Sequence, residues 1–170
     1  PDISTWAKSL GSGMPIGAVV GRAEVMDKTT KGTLGGTYLG NPVACAAAIA
    51  TIQYMKKIRI ADKGKQVGRV VMKFFEKLKK ECPAIGDVRG LGAMTAFELV
   101  KKGDPHLPDA DLAKKLIHAC AENGLLIITA GVSGNVIRVL SPLTISDSQL
   151  NRGLQILRKQ LLRLTNPKVQ

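Results

Sequence analysis

The sequence predicts an α/β chain in two parts: the edge of an α/β domain with a connecting helix over residues 1–58, then a compact α+β domain over residues 59–170. Three observations point there. Ile16 to Gly21 is a short, apolar, β-branched run bounded by glycine, the composition of a buried strand. From Ile60 to about Glu81, apolar residues recur at three- and four-residue intervals, the period of an amphipathic helix. After Pro83 the pattern becomes strand, strand, helix, strand, strand, helix, with no internal repeat or low-complexity segment.

Taken in order, Pro1-Asp2-Ile3 reads as the entry to a strand. It lies inside a motif and has no start methionine, as expected of the C-terminal portion of a longer protein. Ala23 to Asp27 fits one helical turn, and the polar Lys28 to Thr33 an exposed loop. Gly35 to Asn41 is a loop leading to Pro42, which suits the first turn of a helix. The alanine-rich run from Val43 to Ile58 favours that helix. A break near Ile58 to Asp62, or at Gly64, separates it from the next, whose stripe is Val67, Val70, Val71, Phe74, Phe75 and Leu78. Ile85 to Val88 and Ala93 to Val100 are predicted strands joined through Arg89-Gly90-Leu91-Gly92, and Lys101 to Leu107 a polar loop. Asp109 to Glu122 is a helix with Leu112, Leu116, Ile117 and Cys120 on its apolar side, stopped by Gly124. Leu125 to Thr129 and Val136 to Leu140 are a second strand pair. Ser146 or Asp147 caps a last helix bearing Leu150, Leu154, Leu157, Leu161 and Leu164, with frayed residues from Thr165 to Gln170.

Composition narrows the function classes. The 170 residues include 45% hydrophobic but only 4% aromatic side chains, so the core is expected to be aliphatic. No run approaches the roughly 20 apolar residues of a membrane span, and the N-terminus lacks a signal-peptide pattern. Cys45, Cys82 and Cys120 are odd in number and widely spaced, as expected of reduced, buried thiols in a cytoplasmic protein. The net charge of +12 raises nucleic acid as a partner. However, Lys56, Lys57, Arg59, Lys63, Lys65, Arg69, Lys73, Lys77, Lys79 and Lys80 run along helices without interleaved aromatic platforms, which favours a solvated face. His106 and His118 are isolated from each other and from the cysteines, so no metal site is predicted.

Chemistry concentrates first at Lys8, in Thr5-Trp6-Ala7-Lys8-Ser9-Leu10-Gly11-Ser12-Gly13-Met14-Pro15-Ile16-Gly17. The glycines and proline put this lysine on a tight turn between two extended segments. A catalytic lysine needs a neutral amine, which burial or a neighbouring cation promotes. On pattern alone, a solvated lysine in a glycine-rich turn is the commoner outcome. Thr37, in Gly35-Gly36-Thr37-Tyr38-Leu39-Gly40-Asn41-Pro42, offers a hydroxyl and close backbone approach for a phosphate. The same turn could instead cap the Pro42 helix. Arg138 lies among apolar residues in Asn135 to Leu143, where it either presents its planar fork to a carboxylate or points to solvent. Arg89, in Gly86-Asp87-Val88-Arg89-Gly90-Leu91-Gly92-Ala93-Met94, reads as structural, with Asp87 or a carbonyl as partner.

The Lys8 segment and the Gly35 to Ala47 segment, in this order and at this separation, resemble the two signatures of the class III (omega) aminotransferases, which use pyridoxal 5′-phosphate (PLP). The resemblance covers the C-terminal part of the family pattern. It implies the end of the large domain of a fold-type-I PLP transferase, followed by the small C-terminal domain. It further implies that Lys8 forms the internal Schiff base and moves the substrate proton, while Thr37, with Gly36 beside it, touches the phosphate held by a neighbouring subunit. Arg138 would grip the acceptor's carboxylate, in a homodimer with composite sites. The amino donor implied is an ω-amino acid such as 4-aminobutyrate, and the acceptor 2-oxoglutarate; ornithine-, acetylornithine- and 5-aminovalerate-type relatives are alternatives. The family's ring-nitrogen aspartate, stacking aromatic and first phosphate loop precede the lysine, so the isolated chain is expected to be inactive. A non-catalytic dimerisation fragment is the competing possibility from another class.

Overall fold

The computed structural model describes residues 1–33 and 35–166. The expected fraying at residues 167–170 lies outside them. The chain divides into two compact units, Pro1–Ile60 and Ala61–Gln170.

In the first unit, β1 (Ile3–Trp6) and β2 (Ala18–Gly21) form an antiparallel ribbon in which Ile3 faces Gly21 and Trp6 faces Ala18. The second strand begins at Ala18 rather than Ile16. Residues Lys8–Gly11 make a 3₁₀ turn between the strands, closed by Ser12 in the left-handed region. One helical turn, α1 (Ala23–Met26), follows the ribbon. Helix α2 (Pro42–Lys57) has Pro42 in its first turn and Asn41 as its cap. The Asn41 side-chain oxygen accepts from the backbone N–H of Val43 (3.0 Å) and of Ala44 (3.2 Å), satisfying two orphan donors. Thr51 Oγ1, on this helix, lies 2.9 Å from Ser12 Oγ and so ties the turn after Lys8 to α2.

α3 (Ile60–Glu81) starts after Arg59, whose positive φ of 51° makes the break expected near Ile58 to Asp62. In the second unit a four-stranded sheet in the order β3-β4-β6-β5 is antiparallel throughout, with β3 (Ile85–Leu91), β4 (Met94–Leu99), β5 (Ile128–Ala130) and β6 (Val136–Val139). Helices α3, α4 (Ala110–Glu122) and α5 (Asp147–Thr165) pack on one face. Val71, Phe75 and Leu78 of α3, Phe97 and Leu99 of β4, Leu116 and Cys120 of α4, Ile137 of β6, and Leu154, Leu157 and Leu161 of α5 form the core there. Val70, expected on the stripe, is exposed: it lies at the margin of a face centred on Val67, Val71, Phe75 and Leu78.

Two other expectations are corrected. The segment Arg89 to Leu91 is strand, not connection: β3 pairs with β4 as far as Leu91 opposite Met94, leaving a two-residue turn at Gly92-Ala93. Gly92 takes φ +56°, as the first turn residue of a type II′ hairpin requires. β5 starts at Ile128 rather than Leu125, because Leu125 belongs to the end of α4. The N–H of Gly124 donates to the Ala121 carbonyl and that of Leu125 to the Cys120 carbonyl, a Schellman closure around Gly124 at φ +81°. Asp109, read as the first residue of its helix, is instead the cap of α4, whereas Ser146 caps α5 as one of the two residues expected to. Asp109 accepts from the Leu112 N–H, and Ser146 forms a reciprocal capping box with Gln149.

Cys82 and Cys120 are buried, whereas Cys45 is only half-buried. Burial pushes the Cys120 thiol up from its ordinary value of 9.0 to about 11. The folded state thus favours the protonated thiol, while the unfolded chain ionises first. This contribution to stability is complete below pH 9 and is lost as pH rises toward 11. Between pH 8 and 10.5 urea unfolding should show a stability decline that is about 2 kcal/mol smaller in Cys120→Ala than in the wild type. Equal declines would remove the thiol from the alkaline transition.

Candidate functional site

In the first unit, Lys8 opens the 3₁₀ turn with φ 58°, a left-handed conformation uncommon for a non-glycine residue. The turn keeps it at the end of the β1–β2 ribbon, the position its glycine-rich context calls for. The burial that would make its amine neutral is not found within this chain: Lys8 is exposed and has no hydrogen-bond or ionic partner among the described residues.

Gly35, Gly36 and Thr37 sit in an exposed turn before α2. A Cβ placed on Gly35 would meet nothing within 4 Å, and one on Gly36 would meet only the Leu39 side chain, from 3.3 Å. This backbone is open to approach by an anion. The turn does cap α2, as the alternative reading had it, but it does so through Asn41, and Thr37 takes no part in the cap. Its hydroxyl is exposed and unpartnered among the described residues.

Arg138 belongs to the second unit, in the middle of β6, opposite Ala96 of β4 and Ile128 of β5. Because side chains alternate faces along a strand, the register puts Arg138 on the face away from the helices. Asp87, Arg89 and Leu91 of β3, and Met94, Ala96 and Glu98 of β4, share that face. Leu91 and Met94 are exposed there. Arg138 is half-buried, and its Nε is fully buried without a hydrogen-bond partner. Such a group is costly to leave unsatisfied. Lys8, Gly36 and Thr37 thus lie in one unit and Arg138 in the other.

Arg89 is structural, as expected, but has two acidic partners. Its Nη1 lies 2.6 Å from Asp87 Oδ2 and its Nη2 2.6 Å from Glu98 Oε1. These hydrogen bonds, Asp87 first, raise the guanidinium pKa above its ordinary value. Glu98 was not anticipated. Its sequence signal is a lone acid between Phe97 and Leu99, at a position whose neighbours are fully buried. Two buried hydroxyls, Thr95 Oγ1 and Ser141 Oγ, also lack partners and carried no sequence signal. Among the described residues no group of His, Cys, Asp and Glu could hold a metal, and no helix is long and apolar enough to cross a membrane. The basic residues from Lys56 to Lys80 are exposed, all on α2 or α3 except Arg59 at the break between them.

The profile of the aminotransferase class-III family matches residues 1–161. The chain belongs to that family. Class-III aminotransferases depend on PLP, and their fold-type-I architecture is the fold of this chain. A probable 4-aminobutyrate aminotransferase of Bacillus subtilis is 45% identical over 157 residues, covering 92% of this chain and 36% of the relative. The 5-aminovalerate aminotransferase DavT of Pseudomonas aeruginosa is also 45% identical, over 92% of this chain and 37% of its own. The ornithine aminotransferase of Toxoplasma gondii, whose structure has PLP at partial occupancy, superposes with a TM-score of 0.81 at 32% identity, covering 100% of this chain and 39% of that one. This class-III chain therefore spans little more than a third of the length of the relatives it matches. Within the first unit the residues present have the chemistry PLP would need: an unpaired amine on a constrained turn, and an open glycine backbone beside an exposed hydroxyl.

Proposed function

We propose that this chain supplies the lysine, a phosphate-binding turn and the carboxylate-binding arginine of a PLP-dependent transaminase. The enzyme moves an amino group from an ω-amino acid, such as 4-aminobutyrate, to 2-oxoglutarate. The observation that carries the reading is Lys8, held at φ 58° on the turn closing the β1–β2 ribbon, with an amine no acceptor engages. PLP, when bound, supplies an electrophilic aldehyde and an electron-withdrawing ring. Lys8 would hold the group through its amine and, once the incoming substrate amine has displaced it, would take and return the proton at the amine-bearing carbon of the substrate. The Thr37 hydroxyl and the Gly36 N–H would donate to the PLP phosphate. Arg138 presents two parallel N–H donors to the acceptor's carboxylate.

Residues 1–58 are assigned to the end of the large cofactor domain and residues 59–170 to the small domain. In this reading the enzyme is a cytoplasmic homodimer with composite sites, Thr37 serving the partner's phosphate. The remainder of the site lies on the two thirds of the relatives' length that this chain does not span, so the 170 residues alone are inactive. The relative named for 5-aminovalerate matches at the same identity as the one named for 4-aminobutyrate. A five-carbon ω-amino acid is therefore the second reading of the donor.

Substoichiometric PLP, followed by borohydride and peptide mapping, tests the role of Lys8. The reduced adduct should concentrate on the peptide containing residue 8, by at least about tenfold over other lysine peptides, and vanish from it in Lys8→Ala. Label spread evenly over the surface lysines would overturn the assignment.

A further inference from the structure

Two arginines and two carboxylates share the sheet face away from the helices, and the register fixes who can reach whom. Arg89, Ala96 and Arg138 stand in one row across β3, β4 and β6. Glu98 lies two residues further along β4, opposite Asp87 on one side and Val136 on the other. It is therefore diagonal to both arginines at once. Diagonal neighbours on one face are roughly 7–8 Å apart at the backbone, within reach of long side chains. Between the two arginines Ala96 offers no acceptor.

Of its two possible partners, Glu98 takes only Arg89, at 2.6 Å. Arg89 spends its other nitrogen on Asp87, so both acids on this face converge on one guanidinium. Arg138 is left with no carboxylate among the described residues and with a buried, unsatisfied Nε. That arrangement calls for an explanation, because a half-buried arginine gains most from a nearby carboxylate when its own donors are desolvated. Without Arg89, Asp87 and Glu98 would repel each other, and the one remaining cation in this group of four would be Arg138.

We propose that Arg89 is a positioning residue: by holding Glu98 it keeps that carboxylate off Arg138, and so leaves Arg138 open to the carboxylate of a substrate. The proposal deepens the functional reading above and rests on Arg138 as the carboxylate-binding group. Glu98 is the internal competitor, Arg89 the restraint on it, and the ligand class is a dicarboxylate.

The test uses the full 170-residue chain and two readouts. The first needs no ligand: the Arg138 Nε–Hε resonance in ¹⁵N NMR, assigned by its loss in Arg138→Gln. In Arg89→Gln it should shift as Glu98 pairs with it, and in Arg89→Gln/Glu98→Gln it should return to the wild-type position. The second is titration with glutarate, an unreactive dicarboxylate, followed at the same resonance. Glutarate affinity should fall about tenfold in Arg89→Gln, recover to within about threefold in the double variant, and stay within about twofold of wild type in Glu98→Gln. A merely structural ion cluster would alter hairpin stability in Arg89→Gln and leave the Arg138 resonance still, and that result overturns the proposal. Arg89 and Glu98 are partly exposed, so glutamine is accommodated at both. The two failures differ. If glutarate does not perturb Arg138 in the wild-type chain, the carboxylate-binding reading falls, while the ligand-free shift still decides whether Arg89 restrains Glu98.

Discussion

Gly68→Ala is expected to destabilise the second unit by at least about 2 kcal/mol, although alanine is the better helix former. Gly68 lies in the middle of α3 and is buried. A Cβ added there would fall 1.9 Å from the Gly92 carbonyl oxygen and 2.4 Å from its carbon. Both are backbone atoms of the β3–β4 turn, which cannot swing aside as a flexible side chain can. Helix propensity and the reduced entropy of the unfolded chain favour alanine by about 1 kcal/mol, so the clash decides the sign. Gly64 is the internal control. It lies one turn earlier in α3, and its added Cβ would meet only Leu143 Cδ1 at 3.6 Å, an ordinary contact. Gly64→Ala should therefore stabilise, by about 0.5–1 kcal/mol. Urea unfolding of the two variants checks the contrast, and a stabilised Gly68→Ala would show that the helix and hairpin do not meet as described. The consequence reaches the site, because this hairpin carries Arg89 and Glu98 on its far face.

Why glycine stands at 68 could not be read from the chain. Its reason is a tertiary contact more than 20 positions away. The hairpin failed in reading for a related cause. Gly90 and Gly92 are alike in sequence, but only Gly92 has a positive φ. Gly90 is a strand residue whose missing Cβ makes room for the Met94 carbonyl oxygen at 2.7 Å. Signals carried by neighbouring residues were legible. The α3 stripe ended where Pro83 predicted, Gly124 closed α4, and Ser146 capped α5, since each depends on three or four consecutive residues. The candidate site divides along the same line. Lys8, Thr37 and Arg138 stood out through local wording, whereas the acid that competes for Arg138 became visible only when the register set β4 between β3 and β6. Charge balance across a sheet is a property of pairing, and pairing is not written in any one strand.

Phe75→Ala is expected to be the most damaging single truncation in the second unit, at about 3–5 kcal/mol. The Phe75 ring is fully buried, and its centroid lies 4.9 Å from that of Phe97 at an interplanar angle of 79°. This edge-to-face pair is worth about 0.5–1.5 kcal/mol beyond area burial. Small domains have only about 5–15 kcal/mol of stability in total, so the loss would bring the unit near its threshold. Phe74 gives the contrast. It adjoins Phe75 in sequence, lies at the margin of the core and keeps its ring 6.3 Å from that of Phe75. Phe74→Ala should cost about 1–2 kcal/mol. Comparable losses for the two would mean that the core does not centre on α3 and β4. Phe97 precedes Glu98 on β4 and pairs with Ile137, which precedes Arg138 on β6. The aromatic pair on the helix side therefore anchors the two strands whose opposite face carries the competing carboxylate and the unsatisfied guanidinium. Loosening it should blur the Arg138 Nε–Hε resonance even at temperatures where Phe75→Ala remains folded, and an unchanged, sharp signal would separate the core from the site.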